Sequence, residues 1–175
     1  LDRDPYIAAR EMCDKHVVKM IVESAQMLST CHRMLDGTSE RRDSVSGKRK
    51  VDYYKLDNWR ESHLYKAVHF KHPCNIWLRE STANYNWLYN HFLGLLSEYR
   101  WRYDKDHACE KLVHALSVTP TNLVDKPLTT FAQAMPDECK DTDIVQAYRK
   151  YYTKYKSEFA TWKNRATPIW FNTTS

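Results

Sequence analysis

Glycine is nearly missing from this chain, at 3 of 175 residues, and proline occurs only 6 times. Hairpin dipeptides such as Asn-Gly are scarce, so the composition points away from sheet and towards helices. There is no run of about 18 or more apolar residues, which excludes a membrane-spanning helix. The opening LDRDPYIAARE is too charged for a secretory h-region, and the expectation is a cytoplasmic protein. The cysteines are few and odd in number: Cys13, Cys31, Cys74, Cys109 and Cys139 form no CxxC pair. That pattern argues against a disulfide scaffold and a zinc finger, and leaves packed, reduced thiols. Charge of one sign is not in large excess either. The 27 Lys and Arg against 22 Asp and Glu give +5, compatible with a nucleic-acid partner without demanding one. The sequence begins with Leu1, so an initiator methionine is missing from it.

What is present fits one all-α domain spanning residues 1–175. Asp4-Pro5 reads as an N-cap followed by proline at the first helical position, and a helical pattern then runs to Leu35 with a break near Cys13-Asp14. Asp36-Gly37 ends it. Residues 36–50, DGTSERRDSVSGKRK, hold almost no apolar side chain and five basic ones between Arg41 and Lys50, which predicts a mobile basic loop. Residues 51–71 carry irregular aromatics and are expected to form one short helix, as an insertion. His72-Pro73 opens a helix predicted over 73–103, with Trp77, Leu88, Phe92, Leu95 and Tyr99 on its apolar face. A shorter helix at 106–117 follows. Residues 118–141, with three prolines, should form an ordered connection draped over the core. The last helix is predicted over 143–163, so the three long helices are 14–35, 73–103 and 143–163.

Several constellations carry chemistry. In CDKHVVKMIVESAQML, residues 13–28, a helix places His16, Lys19, Glu23 and Gln26 on one stripe while Val17, Val18, Ile21, Ala25 and Leu28 point elsewhere. Such a stripe is either a wet surface or a site. Tyr148, Tyr152, Tyr155, Phe159 and Trp162 recur at helical spacing, which reads as core packing or as a stacking platform for bases. Arg149, Lys150, Lys154 and Lys156 flank them as phosphate contacts. His69, His72 and Cys74 invite a metal, yet neither usual zinc spacing nor a second ligand cluster accompanies them, so no metal or other cofactor is expected. Arg79, Glu80, Ser81 and Asn84 make either a helix start or a polar notch lining a cleft. Asn172-Thr173-Thr174 matches a glycosylation sequon without a secretory context to use it.

The Asp14-Lys15-His16 triplet with Glu23 seven residues on resembles the early helix of the T4 endonuclease V family, pyrimidine-dimer DNA glycosylases with an associated abasic-site lyase activity. The stretch HPCNIWLRESTANYNWL, with His72 and Trp77, and the basic, aromatic ending with Pro168 and Trp170 are similar in character to later parts of that family. The chain is also similar to uncharacterised phage proteins carrying that label. The resemblance implies that Glu23 stabilises positive charge on the sugar and shuttles protons. An amine then attacks C1′, and double-stranded DNA is the partner. Two departures stand out: Val22 and Gln26 occupy positions beside the glutamate where the family carries arginines. The family's nucleophile is a terminal α-amine, which this sequence does not assign.

Lys19, one turn before Glu23, is the natural substitute amine, although the same spacing makes an ordinary surface ion pair. His16 is expected to orient a phosphate, with Arg33 or Arg79 doing likewise, and Lys48, Arg49 and Lys50 gripping the backbone. The expected protein is a monomeric DNA base-excision enzyme, resident in a bacterial host's cytoplasm if phage-encoded. Two alternatives remain open: a phage DNA base-modifying enzyme on the same scaffold, and a non-catalytic helical nucleic-acid-binding or accessory protein.

Overall fold

The computed structural model describes residues 1–172. Asp4 accepts hydrogen bonds from the backbone N–H groups of Tyr6 and Ile7, and Pro5 presets the first helical φ, so α1 starts there and spans Pro5–Glu11. The break at Cys13 falls where the sequence places it. Helix α2, Asp14–Asp36, buries Val17, Ile21, Ala25 and Leu28 and stops at Gly37, where a Cβ would stand 2.4 Å from the Arg33 carbonyl oxygen.

Residues 36–50 are not the mobile loop the composition suggested. Strand β1, Thr38–Asp43, pairs antiparallel with β2, Lys50–Lys55, with Thr38 opposite Lys55 and Asp43 opposite Lys50. The hairpin is stabilised by polar cross-strand pairs that a hydrophobic-alternation reading does not register. Arg41 meets Asp52 at 2.7 Å, Lys50 meets Asp43 at 2.8 Å, and the Arg42 guanidinium lies 3.6 Å from the Tyr53 ring centroid. The fold is therefore mostly helical, about 52%, with one two-stranded sheet rather than purely all-α. Residues 51–71 accordingly divide between β2 and the short helix α3, Arg60–His63.

The expected helix over 73–103 is two helices, α4, Pro73–Leu78, and α5, Thr82–Tyr103. Ser81 is extended and buried, and its hydroxyl accepts from the Asn84 N–H at 3.1 Å, which restarts the helix. Helix α5 runs antiparallel to α2: Arg102 meets Asp14 at 3.0 Å near one end and Tyr85 meets His32 at 2.8 Å near the other. Gly94 admits α1 onto this pair, since a Cβ there would stand 3.0 Å from that of Ala9.

A 3₁₀ turn, Ala108–Leu112, leads into α6, Val113–Leu116. Residues 118–141 drape over the core as expected, with one 3₁₀ turn at Asp137–Cys139. Helix α7, Ile144–Tyr155, ends earlier than the aromatic spacing predicts, at Lys156. The chain then turns so that Trp162 donates to the Glu11 carbonyl at 2.9 Å, and Asp14 accepts from Thr161 Oγ1 and the Lys163 N–H. A short α8, Ile169–Asn172, closes the described chain, and the sequon at 172–174 lies largely outside it.

Buried arginines lock this frame. Arg102 donates to Glu98, Asp14 and the carbonyls of Met12 and Arg10, joining α1, α2 and α5. Arg33 donates to Glu61 and to the carbonyls of Tyr65, Tyr54, Glu61 and Leu64, so α2 clamps the hairpin and α3.

Candidate active site

The polar stripe of α2 is a cavity wall. His16, Lys19, Met20, Glu23, Gln26 and Met27 border a cavity of about 540 Å³. Those positions repeat at three- and four-residue steps, so one helix face supplies them all, while the Val17–Ile21–Leu28 face enters the core. Opposite stand the loop 68–72 and the start of α4, the Trp87 and His91 face of α5, Phe131 and Ala132 of the connection, and Tyr148, Tyr151 and Tyr152 of α7.

At one end the cavity is charged. Lys19 and Glu23 form an i,i+4 pair at 3.4 Å, with side chains 65% and 42% exposed, so the carboxylate is open to solvent. The His16 ring meets Tyr152 edge-on with centroids 5.0 Å apart. It lies 6.2 Å from Phe159, over which Lys156 also sits, at 5.8 Å. Burial lowers the His16 pKa to about 4, and the charges of Lys156 and Lys19 push the same way. His16 is thus a neutral imidazole near pH 7, a hydrogen-bonding group rather than a cation.

The other end is aromatic, with Leu1, Asp2 and Arg3 beside it, where Trp87 donates to the Arg3 carbonyl at 2.8 Å. Trp77 stacks on Phe131 with centroids 5.0 Å apart, and Trp87 meets Phe131 edge-on at 4.9 Å and stacks on His91 at 5.2 Å. His91 Nδ1 donates to the Pro5 carbonyl at 2.9 Å, and burial lowers its pKa to about 4, so the imidazole is neutral. Asn75 donates from Nδ2 to the carbonyls of Val68 and His69, holding the turn in which His69 takes a left-handed backbone, φ 49°. Two buried polar atoms of the lining have no hydrogen-bond partner: Asn75 Oδ1, an acceptor, and Trp77 Nε1, a donor. Each such group costs about 1–3 kcal/mol if nothing satisfies it. Between the ends, Cys74 faces Glu23 and Tyr148. Burial raises its thiol pKa and the Glu23 charge adds to that, so it is no ready nucleophile.

The sequence-predicted residues separate into three groups. His16, Lys19, Glu23 and His72 come together around the cavity. Arg33 does not belong with them: it is 1% exposed and its donors are spent on Glu61 and backbone carbonyls, which leaves none for a phosphate. Arg79 donates to the Phe70 carbonyl at 2.7 Å and does not line the cavity, so of the two readings, helix start and polar notch, the structure shows the helix start. The basic flank of α7 is engaged internally: Lys150 pairs with Asp141, Lys154 with Glu138, and Arg149 donates to the Leu1 carbonyl. Lys50 pairs within the hairpin, whereas Lys48 and Arg49 have no carboxylate partner among the described residues. His69, His72 and Cys74 do not converge as ligands, and among the described residues no group of three His, Cys, Asp or Glu side chains could hold a metal ion.

Sequence reasoning missed Trp87, His91, Phe131 and Asn75, whereas Lys156 lies at the end of the basic flank 149–156 that it took for a phosphate contact. The four-residue spacing of Trp87 and His91 was the available signal. Phe131 sits in a non-periodic connection and carried none. Compared with protein-family models, curated proteins and solved structures, the chain matches none of them.

Proposed function

We propose that the protein is a DNA base-excision enzyme, an N-glycosylase acting on damaged or modified pyrimidines in duplex DNA, with an associated abasic-site lyase step. The observation that carries this reading is the solvent-open Glu23 carboxylate on the wall of a cavity whose far end is aromatic and whose mouth carries His16, Lys19 and Lys156. The resemblance of Asp14-Lys15-His16 and Glu23 to the endonuclease V pattern supports it.

Base excision breaks the C1′–N bond with its electron pair leaving on the base. Positive charge then develops at the sugar, where a carboxylate in a partly dehydrated cavity stabilises it. An amine attacking C1′ forms a Schiff base, and removal of a C2′ proton expels the 3′-phosphate by β-elimination. Lys19 brings an amine to within 3.4 Å of Glu23, which suits it to attack while Glu23 moves protons. Neutral His16 donates one N–H to a phosphate oxygen, and Lys156 neutralises the charge.

The test uses duplexes carrying a pyrimidine dimer, a hypermodified pyrimidine or an abasic site, with borohydride present. A covalent protein–DNA adduct on any of them, lost in Lys19→Ala, supports the assignment. Base release without an adduct restricts the reading to glycosylase chemistry. Neither product on any duplex refutes it.

A further inference from the structure

We propose that the cavity also accepts a free 2′-deoxynucleoside 5′-monophosphate, with the base at the Trp77–Trp87 end and the phosphate at Lys156 and His16. The inference rests on the reading above only in placing Glu23 beside the sugar.

A volume of about 540 Å³ bordered by α2, α4, α5, α7 and the connection is that of a small-molecule site. Groups of distinct chemistry follow one another along α2. His16, Glu23 and Met27 all face the cavity. At about 1.5 Å of rise per residue, His16 stands roughly 10 Å from Glu23 and Met27 about 6 Å beyond it. Because α5 is antiparallel, with Arg102 at Asp14 and Tyr85 at His32, Trp87 and His91 stand level with the Met27 end. The wall therefore presents, in order, a cationic and hydrogen-bonding end, a carboxylate, and an aromatic end. Phosphate, sugar and base follow one another in the same order.

Aromatic faces accept any base, and Trp77, Trp87 and Phe131 all border the cavity. At the opposite end, Lys156 has no carboxylate partner among the described residues, and its approach to Phe159 and Tyr151 holds it beside His16.

The experiment is a titration of the full chain with dTMP, dAMP, thymidine, inorganic phosphate and a five-nucleotide single strand, read by calorimetry and tryptophan fluorescence. The expected result is that dTMP or dAMP quenches tryptophan emission and binds at least ten-fold more tightly than thymidine or phosphate. Lys156→Ala should remove that advantage while leaving thymidine binding unchanged. Failure of both monophosphates to bind, binding insensitive to Lys156→Ala, or equal binding of phosphate alone overturns the proposal. If only the oligonucleotide binds, the free-nucleotide site is wrong and the DNA reading is untouched. If dTMP binds as expected but no duplex is cleaved or trapped, the excision reading fails and this site stands.

Discussion

At the scale of single residues, function and stability divide between polar groups that look alike in a sequence. Glu23 and Asp14 belong to the same motif, yet Asp14 is consumed by Arg102, Thr161 and the Lys163 N–H, and only Glu23 is open to the cavity. Glu23→Gln keeps the shape of the side chain and removes its charge and basicity. Turnover should fall by about 10²-fold or more, while the circular dichroism spectrum and DNA affinity hold. Arg33 behaves oppositely. Arg33→Met takes the charged partner from Glu61, which keeps only Tyr53 and the Leu56 N–H, and leaves four carbonyls without their donor, so it should cost about 3 kcal/mol in denaturant unfolding. A variant that loses DNA binding at full stability would return Arg33 to the binding surface.

At the scale of elements, legibility followed periodicity. Helix α2 was readable almost to the residue because capping, apolar spacing and Gly37 agree. The hairpin was not, because its strands alternate charge with charge and its pairing energy comes from partners a dozen residues away. The α4–α5 break was hidden by an apolar pattern that continues in phase across it. What sets it is a cap: Ser81→Ala removes the hydroxyl that accepts from Asn84 and should cost about 1 kcal/mol in thermal or chemical unfolding. The cavity was half legible. The α2 wall could be read from one stripe, but the aromatic wall is assembled from α4, α5 and the 118–141 connection, and no local pattern links those segments. For the hairpin, Lys48 and Arg49 are the cations without carboxylate partners among the described residues. Reversing the charges of Lys48, Arg49 and Lys50 should weaken binding to every duplex alike and flatten its salt dependence. Unchanged affinity in a salt titration would leave the hairpin a structural element only.

At the scale of the whole molecule, the buried His32 and His91 and the half-buried His16 are neutral histidines among the described residues. Burial lowers the pKa values of His16, His32 and His91 each to about 4. For His32 the hydrogen bonds add a reason. Its Nδ1 accepts from Arg60, so a proton there would face a guanidinium N–H, while Nε2 donates to Tyr85, whose hydroxyl donates to the Leu116 carbonyl. These groups bind protons more readily unfolded than folded. Their contribution is full above pH 6.5 and is lost as pH falls towards 4, so Tm should drop over that window, on the order of 10 °C. A Tm independent of pH between 6.5 and 4 would show that the histidines are not held neutral by the fold.

Two of these histidines, His16 and His91, border the cavity onto which the Glu23 carboxylate opens, and the central claim is what Glu23 does there. The most direct measurement is single-turnover release of free base from a duplex carrying a modified pyrimidine, wild type beside Glu23→Gln, with DNA affinity measured in parallel. The expected result is base release by the wild type, release slower by about 10²-fold or more in Glu23→Gln, and equal affinity for the two. Release at the wild-type rate by Glu23→Gln would contradict it.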